Sequence, residues 1–167
     1  VGKASSSSGG ALSKNRDAKF QMTPSGQGHT GKNAIVTGGL GFIGSNLVIE
    51  LVNRGFAVTV VDNLHPGLGG NAVNISSVAK NVTVHKCDMS NRELLEDAIG
   101  EADFVFNLAG QTGHSDSMEN PELDLSLNVS SQLRFLELCR ELNPSVRLVF
   151  ASTRQVYGRP RWLPVSE

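Results

Sequence analysis

The sequence TGGLGFIG at residues 37–44 constrains the fold of this chain more than any other stretch. A short apolar run at residues 34–36 precedes it, and a helical pattern at residues 43–54 comes after it. The local order is therefore strand, glycine turn and helix. The spacing G-x-G-x-x-G within the turn is typical of loops that bind a dinucleotide. The turn contains four glycines, which are Gly38, Gly39, Gly41 and Gly44.

Such a turn requires glycine for three physical reasons. One position adopts a positive φ, one lets a phosphate approach bare backbone, and one lets the helix lie close to the strand. The unpaired N–H groups at the helix start, around Phe42 and Ile43, then face the pyrophosphate, and the helix dipole favours its charge by about 0.3–1 kcal/mol. A glycine-rich turn that binds no ligand can have the same sequence pattern, so the interpretation depends on residues further along the chain.

An aspartate follows the second predicted strand, about 20 residues after the glycine turn, where an acid binds the ribose hydroxyls of NAD. Asp62 occupies this position, with Asn63 beside it. Its charge would repel the 2′-phosphate of NADP by about 4 kcal/mol at ~4 Å and an effective dielectric constant of ~20. No Lys or Arg lies at residues 63–79 to offset that repulsion. The sequence thus predicts NAD rather than NADP; the alternative is an aspartate that only caps a helix or loop.

Five apolar or β-branched runs predict strands, and most segments between them have helical patterns. The second run is apolar on both faces, which is typical of a parallel sheet covered by helices on both sides. Two connecting segments are weaker, since residues 75–79 predict only a weak helix and residues 111–120 a polar loop. The predicted strands are residues 34–37, 57–61, 82–85, 104–106 and 147–151.

Two helices are predicted between the third and fifth strands. Ser90 and Glu93 form the capping-box pattern S-x-x-E at the start of the first. Pro121 starts the second, which runs to residue 142 and carries an apolar stripe at helical spacing. Asn128 falls among these apolar positions, where a buried amide costs about 1–3 kcal/mol unless it is hydrogen-bonded. The stripe consists of Leu125, Val129, Leu133 and Leu136.

The composition of the 167 residues fits one globular domain, with 39% hydrophobic and 19% charged residues. A formal net charge of −1 gives no reason to expect nucleic acid or an anionic membrane as a partner, and no apolar stretch approaches the roughly 20 residues of a membrane span. Cys87 and Cys139 lack metal-ligand spacing, so we expect reduced thiols, no metal and a cytoplasmic location. Residues 1–31 lack periodicity, which predicts a flexible tail or linker before a domain at residues 32–167.

The strand ends beyond the glycine turn carry further motifs of small and polar residues. In chain order they are Asp88-Met89, NLAG at residues 107–110, Asn128 and ASTRQVYG at residues 151–158. With the glycine turn and Asp62, these motifs make residues 32–167 resemble the extended short-chain dehydrogenase/reductase family, in its NAD-dependent epimerase/dehydratase branch acting on nucleotide sugars. The resemblance implies a Rossmann-type doubly wound α/β sheet of strand order 3-2-1-4-5 that stops before the substrate domain.

The resemblance implies a role for each matching position. The glycines would hold the pyrophosphate, and Asp88 would contact the adenine amino group beside the Met89 backbone. Thr153, with Ser152 as second candidate, would hydrogen-bond the sugar hydroxyl that is oxidised. The alternatives are a capping hydroxyl at Thr153 and a plain turn residue at Asp88. The implied cofactor site consists of Gly38, Gly39, Gly41, Phe42, Ile43, Gly44, Asp62, Asn63, Asp88, Met89, Leu108, Ala109, Gly110 and Asn128.

The catalytic Tyr–Lys pair of the family does not occur in these residues. A lysine beside a tyrosine lowers the pKa of the phenol toward working pH. Here the single tyrosine, Tyr157, is followed four positions later by Arg161, and no lysine follows Lys86. Thr112 stands where several sugar epimerases carry a lysine, two positions after the NLAG glycine.

We therefore expect the NAD-binding N-terminal portion of a nucleotide-sugar epimerase or dehydratase, in which NAD transiently oxidises a sugar hydroxyl. The residues given would bind NAD without turnover, so the parent protein is the expected enzyme, and a nucleotide sugar is its partner. The resemblance also implies a homodimer through long helices. The alternatives are a non-catalytic NAD-binding sensor or scaffold module, and a dehydrogenase of the same family.

Overall fold

A computed structural model describes residues 30–165 of the chain. Most of the tail predicted at residues 1–31 therefore lies outside the described residues, as do residues 166 and 167, and the domain boundary at residue 32 stays a prediction. At the first described residues, the Gly31 N–H donates to the Gly55 carbonyl at 3.1 Å. This bond ties the beginning of the described chain to the turn after the first helix.

Within residues 30–165, five parallel strands form one sheet. They are β1 (Asn33–Thr37), β2 (Ala57–Val61), β3 (Val82–His85), β4 (Phe104–Asn107) and β5 (Arg147–Phe150). Their order across the sheet is β3-β2-β1-β4-β5, which confirms the predicted Rossmann-type topology. Because the strands are parallel, their carboxyl ends share one edge, and the chain changes direction across the sheet between β1 and β4.

Helices connect these strands, except β2 and β3. They are α1 (Phe42–Asn53), α2 (Arg92–Gly100), α3 (His114–Glu119), α4 (Pro121–Leu125) and α5 (Ser131–Leu142). A π-helical segment (Ser126–Ser130) joins α4 to α5, so residues 121–142 form the long helix that the sequence predicts. None of the described helices has the length and apolar character that a membrane crossing requires.

Apolar clusters cover both faces of the sheet. On one face, Val36 belongs to a cluster that includes Val48 of α1. On the other, Ile35 belongs to a cluster with Leu95 of α2 and Phe135 of α5, both fully buried. Adjacent residues of β1 thus face opposite clusters, which explains why the strands are apolar on both sides.

The cap of α2 differs from the predicted capping box. The Asn91 side chain, rather than that of Ser90, accepts the helix N–H, from Leu94 at 3.1 Å. Ser90 Oγ instead donates to Asp88 Oδ1 at 2.6 Å. The pattern is one residue out of register because the Ser90 hydroxyl is already bound to the carboxylate before it.

Two connecting segments also differ from prediction. Residues 75–79 form no α-helix, and 3₁₀ turns at Ala72–Ile75 and Ala79–Asn81 occupy this region instead. The segment 111–120 is not all loop, because α3 lies within it. Ser117 Oγ donates a hydrogen bond to the Gly113 carbonyl at 2.8 Å, and this side-chain bond helps to stabilise the short helix.

The apolar stripe of the long helix lies on its outer face. Leu125, Val129, Leu133 and Leu136 are between 41% and 60% exposed. The helix spacing therefore identifies the helix correctly but not the face that packs against the sheet. Polar residues take part of the inner face because partners on other elements satisfy them. The buried residues of α5 are Ser131, Gln132, Phe135, Leu138 and Cys139.

Candidate functional site

A cavity of about 330 Å³ lies at the carboxyl ends of β1, β2 and β4. Every residue that the sequence predicts for the cofactor site lines this cavity, except Gly39 and Asn128. The topology explains this convergence, because the glycine turn, the loop after β2 and the NLAG segment all follow strands that end at one edge. The cavity is thus the candidate ligand site.

The glycine turn presents bare backbone to the cavity. Gly38 has a φ of 66°, and a β-carbon there would lie 2.9 Å from both Cα and N of Ala109. A β-carbon on Gly44 would lie 2.8 Å from Gly39 Cα and closer still to the Gly38 carbonyl oxygen. Side-chain carbons essentially never approach so closely, so both positions exclude a side chain. The turn can therefore fold this way only with glycine at these two positions.

The start of α1 supplies hydrogen-bond donors to the same cavity. Gly41 is the N-cap, and within the described chain no side chain accepts a bond at this cap. The first N–H groups of a helix have no intrahelical partner, and the helix dipole makes this end positive. Phe42 and Ile43 line the cavity and are 84% and 68% exposed. An anionic group flanked by apolar surface fits this arrangement.

The Asp62 carboxylate holds two backbone N–H groups at the rim of the cavity. Its Oδ2 accepts from Leu40 N at 3.0 Å, and its Oδ1 accepts from Leu64 N at 2.9 Å. Leu64 has a φ of 51°, an uncommon conformation for a residue other than glycine. Asp62 therefore caps a loop, which was the alternative interpretation of this residue, and it also lines the cavity. Each oxygen keeps a second acceptor position.

Asp88 lies at the end of β3 with both carboxylate oxygens engaged. Oδ1 accepts from the Ser90 N–H at 2.8 Å, and Oδ2 accepts from Ser131 Oγ at 3.2 Å. The bond to Ser131 connects the β3 edge of the cavity to α5. Burial and then the Asp88 charge raise the pKa of the neighbouring Cys87 thiol, which keeps it protonated at neutral pH.

Asn128, Ser152 and Thr153 lie outside the cavity lining. The Asn128 amide pairs with the Gln111 backbone, accepting from its N–H at 2.9 Å and donating to its carbonyl at 3.0 Å. Asn128 is only partly buried, and this pairing supplies the partners that its amide requires. Thr153 Oγ1 accepts from Gln155 N at 3.2 Å and caps a 3₁₀ turn, and both hydroxyl residues are exposed.

Some cavity residues carry no motif by which the sequence could reveal them. His65, Leu68 and Gly70 come from the loop after β2, and Leu127 and Ser131 come from the long helix. The loop residues follow Asp62 closely, so their position after a strand end is a usable signal. The helix residues lie far from any glycine motif, and only the packing of α5 on the sheet brings them to the cavity.

A family model described as GDP-mannose 4,6 dehydratase matches residues 35–167, most of the chain. The chain belongs to the NAD-dependent epimerase/dehydratase family. Among curated relatives of this family, a CDP-paratose 2-epimerase from Salmonella typhi is 35% identical over 127 residues. That match covers 74% of this chain and 37% of the relative. The chain thus spans well under half the length of this epimerase.

Solved structures of epimerase/dehydratase relatives share the fold. A UDP-N-acetylglucosamine 4-epimerase from Methanobrevibacter ruminantium M1 superposes with a TM-score of 0.70 at 32% identity, over 83% of this chain and 43% of that one. A UDP-glucose-4-epimerase from Stenotrophomonas maltophila, with bound NAD and formylated UDP-arabinopyranose, gives a TM-score of 0.69 at 28% identity over 80% and 40%. The second of these structures therefore holds NAD and a UDP-sugar on the same fold.

Proposed function

We propose that this chain is the NAD-binding portion of a nucleotide-sugar epimerase or dehydratase. One observation supports this above all, namely the cavity in which the bare backbone of a glycine turn and a helix start lie beside a fixed carboxylate. The related structure that contains both NAD and a UDP-sugar adds to this support. When bound, NAD supplies reversible acceptance of a hydride from a sugar carbon.

The residues of the cavity suit the parts of a dinucleotide. The backbone from Gly38 to Gly44 and the N–H groups of α1 would hold the pyrophosphate. Asp62 would accept a ribose hydroxyl with the acceptor positions that its two backbone bonds leave open. Asp88 would lie near the adenine, and Leu108, with the residues after it, would line the other wall. The bare turn is the feature that a simple loop-capping role for Asp62 does not explain.

The hydroxyl of Thr153, with Ser152 as alternative, would bind the sugar hydroxyl that is oxidised. Its oxygen already accepts from Gln155 N, but the hydroxyl proton remains free to donate. Tyr157 has no lysine four positions later, so the 167 residues lack the Tyr–Lys pair of the family and would bind NAD without turnover. Turnover of a nucleotide sugar by the purified chain would contradict this part of the proposal. A non-catalytic NAD-binding module is the second candidate, and the position of Thr153 outside the cavity lining, where it caps a 3₁₀ turn, suits it.

Calorimetric titration with NAD and NADP tests the cofactor site. We expect wild-type chain to bind NAD at least tenfold more tightly than NADP, because the Asp62 charge repels a 2′-phosphate. Asp62→Asn removes the charge and should bring the ratio of the two dissociation constants close to one. The ratio is the decisive quantity, since loss of the bond to Leu40 would weaken both ligands alike.

Asp103→Asn is the matched control for that titration. Asp103 Oδ2 also accepts a backbone N–H, from Asn33 at 2.9 Å, but at the opposite end of β1 from the cavity. Its substitution should leave the NADP-to-NAD ratio unchanged. Equal affinities of wild-type chain for the two dinucleotides, or a ratio that Asp62→Asn does not alter, would refute the assignment of Asp62.

The exposed stripe on the long helix suits a second copy of the chain. It extends over residues 125–136, about 17 Å of helix at 1.5 Å per residue, and a stripe that pairs with its own copy about a twofold axis forms a closed dimer. Light scattering should give twice the chain mass for wild type and the monomer mass for Leu133→Glu. A monomeric wild-type chain would contradict the dimer.

A cytoplasmic location suits the two thiols. Cys87 and Cys139 are both free. Burial raises the pKa of Cys139 to about 11, so its thiol is unreactive at neutral pH. Free thiols are typical of a reducing compartment. Localisation of a tagged full-length protein in its own cells tests this proposal.

A further inference from the structure

A closed circuit of four hydrogen bonds lies behind the cavity wall at the end of β4. Thr37 Oγ1 donates to Asn107 Oδ1 at 2.8 Å, and Asn107 Nδ2 donates to Gln132 Oε1 at 2.7 Å. Gln132 Nε2 donates to the Ala109 carbonyl at 2.7 Å, and the Ala109 N–H donates to Thr37 Oγ1 at 3.2 Å. The circuit therefore connects β1, the end of β4 and α5.

The chemistry of Ala109 fixes the direction of every bond in this circuit. The Ala109 carbonyl can only accept, so Gln132 must turn its NH₂ group toward it and its oxygen toward Asn107. Asn107 must then donate to Gln132 and accept from Thr37. The three side chains are 0%, 1% and 8% exposed for Thr37, Asn107 and Gln132. A reversed amide would leave buried groups unpaired, which costs about 1–3 kcal/mol each.

The Ala109 peptide is the part of the circuit that reaches the cavity. The Ala109 N–H donates to Thr37, and the Ala109 carbonyl accepts from Gln132. The Ala109 backbone also packs directly on Gly38. Gly38 and Ala109 both line the cavity, whereas Gln132 does not. A shift of the Ala109 peptide would therefore change the gap between the glycine turn and the end of β4.

We propose that Gln132 is a positioning residue for the dinucleotide: it holds the Ala109 peptide against Gly38 and so sets the width of the cleft between β1 and β4. This inference rests on the proposed NAD site. In this topology the adenosine half of a dinucleotide lies over β2 and β3, and the other half crosses the switch point toward β4. Gln132 should thus affect the binding of the nicotinamide half of NAD, which AMP lacks.

Gln132→Leu tests the role because it keeps the size of the side chain and removes the donor to Ala109. The substitution removes both side-chain bonds of Gln132, the one to Ala109 and the one from Asn107. Because these bonds lie within the protein, only part of their loss affects binding, and the dissociation constant of NAD by calorimetry should rise roughly five- to tenfold, the equivalent of one net hydrogen bond. The dissociation constant of AMP should change less than twofold. In the chain without ligand, the Ala109 amide should exchange its hydrogen faster by NMR.

Asn143→Leu is the matched control. The Asn143 amide donates to the carbonyls of Ile99 at 3.0 Å and Ala102 at 2.8 Å, at the far end of α5 from the cavity. Its loss should lower the melting temperature while leaving NAD affinity and Ala109 exchange unchanged. A purely structural role for Gln132 would make the two variants behave alike.

Gln132→Glu provides a second variant should Gln132→Leu fail to fold. Its carboxyl can still accept from Asn107, but when ionised it repels the Ala109 carbonyl, which raises the pKa of that carboxyl. Protonation restores a donor, so NAD affinity of this variant should recover toward that of wild type as the pH falls from about 8 to 5.5. The NAD affinity of wild-type chain over the same range is the reference.

The outcomes separate this inference from the proposed function. If wild-type chain does not bind NAD, the proposed function is wrong, and faster Ala109 exchange in Gln132→Leu would still support the positioning of this peptide. If wild-type chain binds NAD but Gln132→Leu alters neither NAD affinity nor Ala109 exchange, the positioning role is wrong. Equal loss of NAD and AMP affinity, or a Gln132→Glu affinity that does not recover at low pH, would also overturn it.

Discussion

Replacement of Gly44 by alanine tests whether the glycine turn excludes side chains. A β-carbon there would lie 2.8 Å from Gly38 C and from Gly39 Cα, where ordinary contacts begin at 3.4 Å. The neighbours are backbone atoms, which cannot rotate away, so the start of α1 must move away from the turn. Overpacking of this kind costs about 1–3 kcal/mol, and we take the upper end for a backbone neighbour.

In Gly44→Ala, the higher helix propensity of alanine offsets about 1 kcal/mol of this destabilisation. The net loss is then about 2 kcal/mol, or about 6 °C in melting temperature at roughly 3 °C per kcal/mol for a chain of this size. Thermal unfolding followed by circular dichroism measures this change. Calorimetry at a temperature where the variant is folded should also show weaker NAD binding, because a displaced α1 turns its N–H groups away from the cavity.

Gly100→Ala is the control for the effect of alanine itself. Gly100 is the last residue of α2, and a β-carbon there meets no atom within 4 Å. This change should raise stability by about 0.4–1 kcal/mol, since it restricts the unfolded chain without a clash. A melting temperature of Gly44→Ala within 1 °C of wild type would refute the claimed close approach. So would an equal loss in both variants.

Three further predictions concern the packing around α5. Phe135→Ala removes a fully buried ring between the helix and the sheet and should cost about 3–5 kcal/mol in urea unfolding, whereas Leu133→Ala, on the exposed stripe, should cost far less in the monomer. The Cys139 pKa rises from 9.0 to about 11 through burial. As the pH rises above 9, the thiol ionises in the unfolded chain before it does so in the folded one, so the free energy of unfolding falls. Between pH 7.5 and 10, Cys139→Ala should therefore lose about 1 kcal/mol less of its unfolding free energy than wild type does. Glu141→Gln breaks the exposed 2.7 Å ion pair with Arg92 and should leave the urea midpoint unchanged within error, because surface pairs contribute little.

The fold follows from the sequence because each strand is marked twice. An apolar run identifies the strand, and a change to small or polar residues identifies its carboxyl end, as at Asp62 and at NLAG after β4. Parallel strands bring those ends to one edge, which explains why the residues after the strands line one cavity. The resemblance to the family was still needed to assign Asp88 and the residues after Asn107 to a cofactor. The strand order 3-2-1-4-5 also required the family resemblance, since periodicity gives no pairing.

The features that the sequence did not predict correctly are the buried face of α5 and the local helix caps. Helical periodicity reports where apolar side chains recur, and in this helix they recur on the exposed face, at Leu125 and Leu133. The inner face carries Ser131 and Gln132, which are buried because Asp88 and Asn107 satisfy them from other elements. Such long-range pairs have no local signature. Polar residues at helical spacing therefore identify the buried face of a helix only when their hydrogen-bond partners at the strand ends are known.

Folding of the turn and binding of a ligand depend on the same carboxylate. Asp62 fixes the glycine turn through Leu40 N and holds Leu64 in a strained conformation. In the proposed complex it also binds ribose. A simple loss of binding in any Asp62 variant therefore cannot distinguish damaged recognition from a loosened turn, and only the NADP-to-NAD ratio separates the two. By linkage, NAD at 100 times its dissociation constant would add about 2.7 kcal/mol of stability. At that same NAD concentration, 100 times the wild-type dissociation constant, the gain should shrink in Asp62→Asn, which binds NAD more weakly, and persist in Asp103→Asn.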